Sequence, residues 1–388
     1  MNLILFDDPG VRSNLLPLVF TRPVAEMRVG MLSIAEKWER HLSLKPSYST
    51  REYLSKKFQK KTTADNVWIN GGICPDDKLV AVIKNLKLGD AIYQNSKVVA
   101  VRTDEDELPE VIPGRITAYT DDIVLIDQPW KIFQNNGKQI RLDFKLLTTN
   151  RKSEKIRDSH TRVYNENNIF LEDGVALHAA ILNAENGPIY LGKNSQVQEG
   201  AIIRGPFALG EGSIINMGGK MRADTTVGPF CKVGGEVSNS VLFGFTNKAH
   251  DGFLGNSVLG AWCNLGADTN TSNLKNNYEN AKVWSYTKNG FTDIGQPNCG
   301  LIMGDHSKSG INTMFNTGTV VGVNSNIFGA GYPRNFIPSF QWGGAAGLVT
   351  YQFEKAMETA ARVMRRRNIV LDEMDREILK NVFEQDSK

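Results

Sequence analysis

The chain has 388 residues, enough for two or three domains and a sizeable buried core. Its formal net charge is +3, with 22% charged and 41% hydrophobic residues, a balance that points to no nucleic-acid partner. No run of about 18 apolar residues occurs, so no spanning helix and no membrane partner are expected. The opening Met1-Asn2-Leu3-Ile4-Leu5-Phe6-Asp7-Asp8 is too short and too acidic at its end for a secretory leader. Cys74, Cys231, Cys263 and Cys299 are far apart and show no C-x-x-C spacing. A disulfide framework or zinc site is therefore not expected, and a reducing cytoplasm fits.

In chain order, residues 1–130 alternate short strands with helices. Leu3-Ile4-Leu5-Phe6 reads as a buried strand, Ile34 to Leu42 as a helix, and Val67-Trp68-Ile69 as a strand ending at Asn70-Gly71-Gly72. The alternation predicts an α/β sheet. Residues 131–180 read as a connector that opens with a helix after Pro129.

From near Ile189 an aliphatic-glycine pair recurs: Leu191-Gly192, Leu209-Gly210, Val227-Gly228, Val233-Gly234, Leu254-Gly255, Leu259-Gly260, Leu265-Gly266, Met303-Gly304 and Val321-Gly322. Leu191, Leu209 and Val227 are 18 apart, and Val227–Val233 and Leu259–Leu265 are 6 apart. A six-residue period belongs to a parallel β-helix, in which each unit is one short strand and a turn. The aliphatic side chain points into a triangular prism and stacks on its copies in neighbouring coils. This predicts a left-handed β-helix over 181–340, with a polar loop over 268–300 leaving the prism. Residues 341–388 return to helical spacing at Phe353, Met357, Ala360 and Met364, and at Ile378, Leu379, Val382 and Phe383. Such helices would cap the open end of the prism. Arg365-Arg366-Arg367 reads as a solvated face of that helix.

Among five histidines, His250 stands out, because it lies in a turn just before a repeat unit. Imidazole titrates near neutrality, where it can accept the proton an amine must lose while attacking a thioester. A turn histidine is also often inert, so the residue type alone leaves both readings open.

The stretch Lys248-Ala249-His250, Phe253-Leu254-Gly255-Asn256, Asn264-Leu265-Gly266-Ala267-Asp268-Thr269 resembles the acetyltransferase half of a bifunctional bacterial family that makes UDP-N-acetylglucosamine. That family joins an N-acetylglucosamine-1-phosphate uridylyltransferase to a glucosamine-1-phosphate N-acetyltransferase. The resemblance implies that His250 is the general base, that Asn264 contacts the sugar or orients the base, and that Ala267 meets acetyl-coenzyme A through its backbone. The family's asparagine-tyrosine pair falls at Asn273 by counting, or at Asn277-Tyr278 with a short insertion, so Asn273 and Tyr278 are both candidates for the sugar. Phe253 stands where the family has tyrosine. Arg222, with Lys220 and Lys232, is a candidate for the sugar phosphate. The coils from Gly304-Asp305-His306 to Gly329-Ala330-Gly331 resemble those that cradle the coenzyme, which makes Gly329 a candidate contact.

The N-terminal stretch Asp8-Pro9-Gly10-Val11-Arg12 followed by Pro17-Leu18-Val19-Phe20-Thr21-Arg22-Pro23-Val24 resembles the phosphate-binding opening of the nucleotidyltransferase half. Arg12 matches the loop arginine, Val24 replaces the signature lysine, and Asn70 stands where the family ends a strand with a metal-binding aspartate. Arg12, Arg22 and Arg28 are the candidates for nucleotide phosphates. A divergent bacterial group with this layout shares Thr21-Arg22-Pro23-Val24-Ala25-Glu26 and Pro333-Arg334-Asn335-Phe336-Ile337-Pro338.

The resemblance implies N-acetylation of a phosphorylated amino sugar, glucosamine-1-phosphate, by acetyl-coenzyme A, then transfer of UMP from UTP with Mg²⁺ bridging phosphates. It also implies a homotrimer. Two alternatives stay open: a sugar N-acyltransferase whose N-terminal domain binds nucleotide without turnover, and a non-catalytic β-helix scaffold.

Overall fold

The computed structural model describes residues 1–109, 111 and 114–387. They fall into two compact units, one of residues 1–15, 21–27 and 32–128, the other of residues 16–20, 28–31 and 129 onward.

The first unit is a nucleotidyltransferase-like α/β domain. Its six-stranded sheet runs in the order Pro46–Ser49, Asn2–Phe6, Asn66–Asn70, Lys97–Thr103, Ala91–Gln94, Ile116–Ala118. The first three strands are parallel, and Lys97–Thr103 turns antiparallel. Parallel strands covered on both faces need unbroken apolar runs. Leu3, Ile4 and Leu5 meet that need at no more than 1% exposure. The helix Ile34–Leu42 starts from a capping box in which Ser33 and Glu36 satisfy each other's backbone amides. Its Trp38 is fully buried and donates its indole N–H to Ile73 O at 2.9 Å.

The second unit is a left-handed parallel β-helix with C-terminal helices. Stacked parallel strands form its three faces; the third face is a six-stranded sheet ending at Phe253–Gly255, followed by the separate pair Asn270–Thr271 and Met314–Phe315. Register stacks like on like. On one face Leu171, Leu191, Leu209, Val227, Leu242, Leu259, Met303, Val321 and Ile337 form an unbroken inward ladder. Most of these side chains have no exposed surface, and each stacks on its neighbours as the hexad period demands.

The strands start at Arg162–Tyr164, ahead of the residue-181 start expected for the β-helix and of the first glycine pair at Leu191-Gly192. The early coils turn inward on Val163, Leu171 and Leu177, none of which is followed by glycine. Over 268–300 the prism also persists slightly longer than expected. Asn270–Thr271 still pairs with Met314–Phe315 before the chain leaves and folds an antiparallel hairpin, Lys282–Ser285 against Gly290–Asp293. The helix Trp130–Thr148 packs along the coils, and its buried Asn136 donates to Asp224 O at 2.8 Å. At the far end the helices Phe353–Arg365 and Glu373–Asp386 bury Met357, Leu379 and Val382 with Phe340 of the last coil.

Among the described residues no helix is long and apolar enough to cross a membrane.

Candidate active site

Three outward rows, stepping with the coils, build one cavity. The first is set by strand register: Lys232, Asn247, Asn264 and Lys308 lie directly over one another. Two residues before each of them comes Phe230, Phe245, Trp262 or His306. Three residues after Asn247, Asn264 and Lys308 come His250, Ala267 and Ile311. The cavity holds about 500 Å³ and is lined by nearly all of these residues, with Arg366 and Arg367 from the C-terminal segment. His250, Asn264 and Ala267, which the sequence offered together in one motif, therefore line the same cavity.

The lining carries four cations, Lys232, Lys308, Arg366 and Arg367, and no carboxylate among its described residues. A cavity so lined attracts anions, phosphates above all. Arg367 donates to Asn247 Oδ1 at 3.2 Å, which fixes its guanidinium beside the polar row. Lys308 donates to the backbone oxygen of its own turn, His306 O, at 2.5 Å. Burial lowers its pKa to about 8.

Lys248 occupies a place the sequence reading missed. Its neighbours in the inward ladder of that face are Val197, Ile215 and Val233, so its side chain enters the prism in place of an aliphatic. It is 1% exposed. Its ammonium donates to His250 O at 2.5 Å and to Asp251 O at 3.2 Å, so the turn that carries His250 is held from inside. Burial lowers its pKa to about 8, against the opposing pull of Asp251 and Asp268. Gly252 completes the turn at φ +113°, where a Cβ would meet Thr269 O at 2.2 Å. His250 itself is exposed at the cavity mouth.

The aromatic row sits in an unusual backbone state. Asn194 and Asn324 take φ near +55° at this turn, as asparagine readily does. Phe230, Phe245, Trp262 and His306 take φ of 53° to 64° at the same turn of their coils, which bulky side chains rarely adopt. They stack in return: centroids are 5.1 Å apart for Phe230–Phe245, 4.2 Å for Phe245–Trp262 and 6.1 Å for Trp262–His306, all within 18° of parallel.

Other sequence candidates lie elsewhere. Arg222 is 61% exposed and pairs with Glu236 at 3.1 Å, and it does not line the cavity. Asn273 donates to Asn256 Oδ1 at 2.7 Å, Tyr278 is 74% exposed on the insertion, and Gly329 is an exposed turn glycine; none lines the cavity. In the first unit Arg12 is 4% exposed and spends its guanidinium on Asp7 (2.8 Å), Arg22 O (3.0 Å) and the Tyr53 hydroxyl (3.1 Å). It is a neutralised structural residue rather than an open phosphate ligand. Arg22 is half-buried beside it. Arg28 belongs to the second unit, where it donates to Phe243 O at 3.2 Å and to Met31 O. Arg12 and Arg22 thus belong to one unit and Arg28 to the other.

Nor does the first unit fit a divalent cation. Val24 is fully buried. Asn70 uses both ends of its amide on backbone, donating to Val98 O at 3.3 Å and accepting from Gly72 N at 3.0 Å. Among the described residues no three of His, Cys, Asp and Glu gather as a metal site.

Fold and site together define a sugar-nucleotidyltransferase-like unit joined to a hexapeptide-type β-helix. Residues 3–152 match the family model described as sugar nucleotidyl transferase. The chain is 36% identical over 97 residues to the bifunctional protein GlmU of Methanococcus maripaludis, a match covering 24% of this chain and 22% of that protein. It is 24% identical over 183 residues to the uncharacterized acetyltransferase YaiX of Escherichia coli strain 536, covering 47% of this chain and 76% of that one. Among solved structures, a UDP-N-acetylglucosamine acyltransferase of Arabidopsis aligns over 58% of this chain and 88% of its own, at 13% identity and a TM-score of 0.24. The chain thus matches only about a fifth of the length of the first of these relatives.

Proposed function

We propose that the β-helix transfers an acetyl group from acetyl-coenzyme A to the amine of a phosphorylated amino sugar, glucosamine-1-phosphate. One observation carries the reading: His250, Asn264, Ala267 and four cations line a single cavity, with no carboxylate among its described lining residues. The cations answer the phosphates of sugar and coenzyme. His250 takes the ammonium-derived proton as the amine nitrogen bonds to the thioester carbonyl. The carbon–sulfur bond then breaks, and the proton passes from the imidazole to the departing thiolate. Backbone amides near Ala267 are the proposed donors to the tetrahedral oxyanion.

For the first unit the resemblance implies uridylyl transfer. Its support is the family match over residues 3–152. The buried Val24, the engaged Asn70 and the neutralised Arg12 favour a second reading, in which this unit binds a nucleotide without turnover.

The test follows thiol and pyrophosphate separately, with acetyl-coenzyme A and glucosamine-1-phosphate, with and without UTP and Mg²⁺. His250→Ala should lower thiol release by about 10²–10⁴-fold while the protein stays folded. Thiol release without pyrophosphate would leave the second reading for the first unit. A His250→Ala protein as active as its parent would overturn the base assignment.

A further inference from the structure

The inserted hairpin builds a second cavity, away from the rows around His250. Its register sets Trp284 directly opposite Phe291 and Lys282 opposite Asp293, so one hairpin face carries two aromatics, a lysine and an aspartate. The alternate residue Val283 is 1% exposed and anchors the other face in the protein. Trp284 stacks on Phe336 at 4.1 Å and 10°, and meets Phe291 edge-on at 5.4 Å. The space they border holds about 780 Å³ and is ringed by Lys275, Lys282 and Arg334.

Charges around it are uneven. Lys275 lies 3.8 Å from the exposed Glu279. Asp293 turns to its own loop, accepting from Gly295 N at 2.7 Å, and does not line the space. Among the described residues neither Lys282 nor Arg334 has an ion-pair partner. Phe291 keeps 49% of its surface exposed, so its ring is open to a ligand in the cavity it lines. A flat apolar surface beside cations suits a ligand with a ring at one end and several negative charges at the other.

We propose that this cavity is a nucleotide-binding site, the base packing on Phe291 and Trp284 and the phosphates meeting Lys282, Arg334 and Lys275. A free nucleoside triphosphate and the nucleotide end of coenzyme A share this chemistry. The inference does not rest on the acyl-transfer reading.

Photolabelling the full chain with 8-azido-ATP, followed by digestion and mass spectrometry, tests it. Saturable label is expected on peptides covering 282–291 or 334–336. Adenosine alone and pyrophosphate alone should compete about tenfold more weakly than ATP, since each holds half of the ligand. Lys282→Glu with Arg334→Glu should weaken labelling about tenfold or more at unchanged melting temperature, and Phe291→Ala should do so through the ring alone. His250→Ala should leave labelling unchanged, because His250 does not line this cavity. Competition by coenzyme A as strong as by ATP would identify its nucleotide end as the occupant, and weaker competition a free nucleotide. No saturable label on these peptides, or label undiminished in the doubly reversed variant, overturns the proposal.

Discussion

Lys248 Nζ donates to His250 O at 2.5 Å from a ladder position that the adjacent coil fills with Val233. A lysine in the core of a prism is costly, because burial disfavours its charge. Its two carbonyl partners explain its presence, since they belong to the turn that aims His250. Lys248→Met keeps the length and apolar stem and removes only the donor. Thiol release should fall about tenfold or more in kcat, with KM for acetyl-coenzyme A nearly unchanged, and thermal stability at neutral pH should not drop. A purely structural lysine would move stability and leave kcat alone.

Lys308 should show the same strain in its response to pH. Its pKa lies at about 8, below the ordinary 10.5. Between those values the unfolded chain holds a proton that the folded chain has released, so stability from this group rises with pH. The penalty is complete below about 8 and vanishes above about 10.5. Lys308→Met should therefore be more stable than the parent at neutral pH, on the order of 1 kcal/mol because the side chain is partly open to the cavity. Urea unfolding across that range should show the advantage shrinking as pH rises. An advantage constant with pH would assign it to packing instead.

The β-helix was legible because its rule is repetitive: a missing methylene in one coil does not hide a ladder from Leu191 to Val321. Motif spacing singled out His250, Asn264 and Ala267, and strand register explains why all three line one cavity. Arg366 and Arg367 were not, because a basic run on a helix reads as a solvated face until the fold brings it to the cavity. Lys248 left a signal that could have been used, a cation where the hexad calls for an aliphatic. The first coils were hidden because Val163, Leu171 and Leu177 lack the glycine that marks later ones. Arg12 looked like a phosphate ligand because spacing cannot show that Asp7 already neutralises it.

Trp262 offers a test of what the aromatic row is for. Its φ of 64° is a conformation that asparagine accepts and tryptophan resists. Trp262→Asn should recover backbone strain and lose the 4.2 Å stack on Phe245, so the net stability change should stay within about 1 kcal/mol. If the row serves only packing, activity should follow stability. As a wall of the acyl-transfer cavity, its loss should raise KM for acetyl-coenzyme A about tenfold while the protein stays folded. Steady-state kinetics beside a melting curve separates the two.

Arg366 and Arg367 reach the cavity from the segment that follows the helix Phe353–Arg365, and Arg367 is tied to the polar row through Asn247. That tie makes Arg367 the more ordered cation, so less side-chain entropy is lost when an anion binds it. Arg367→Ala should raise KM for the phosphate-bearing substrate by about tenfold with a smaller change in kcat, and Arg366→Ala by less. The effect should shrink as salt is raised, because screening weakens the parent's attraction as well. Asn247→Ala frees the guanidinium without removing its charge, and should fall between the parent and Arg367→Ala. Equal KM values for the parent and Arg367→Ala at low salt would remove the C-terminal segment from substrate binding and leave Lys232 and Lys308 as the cavity's working cations.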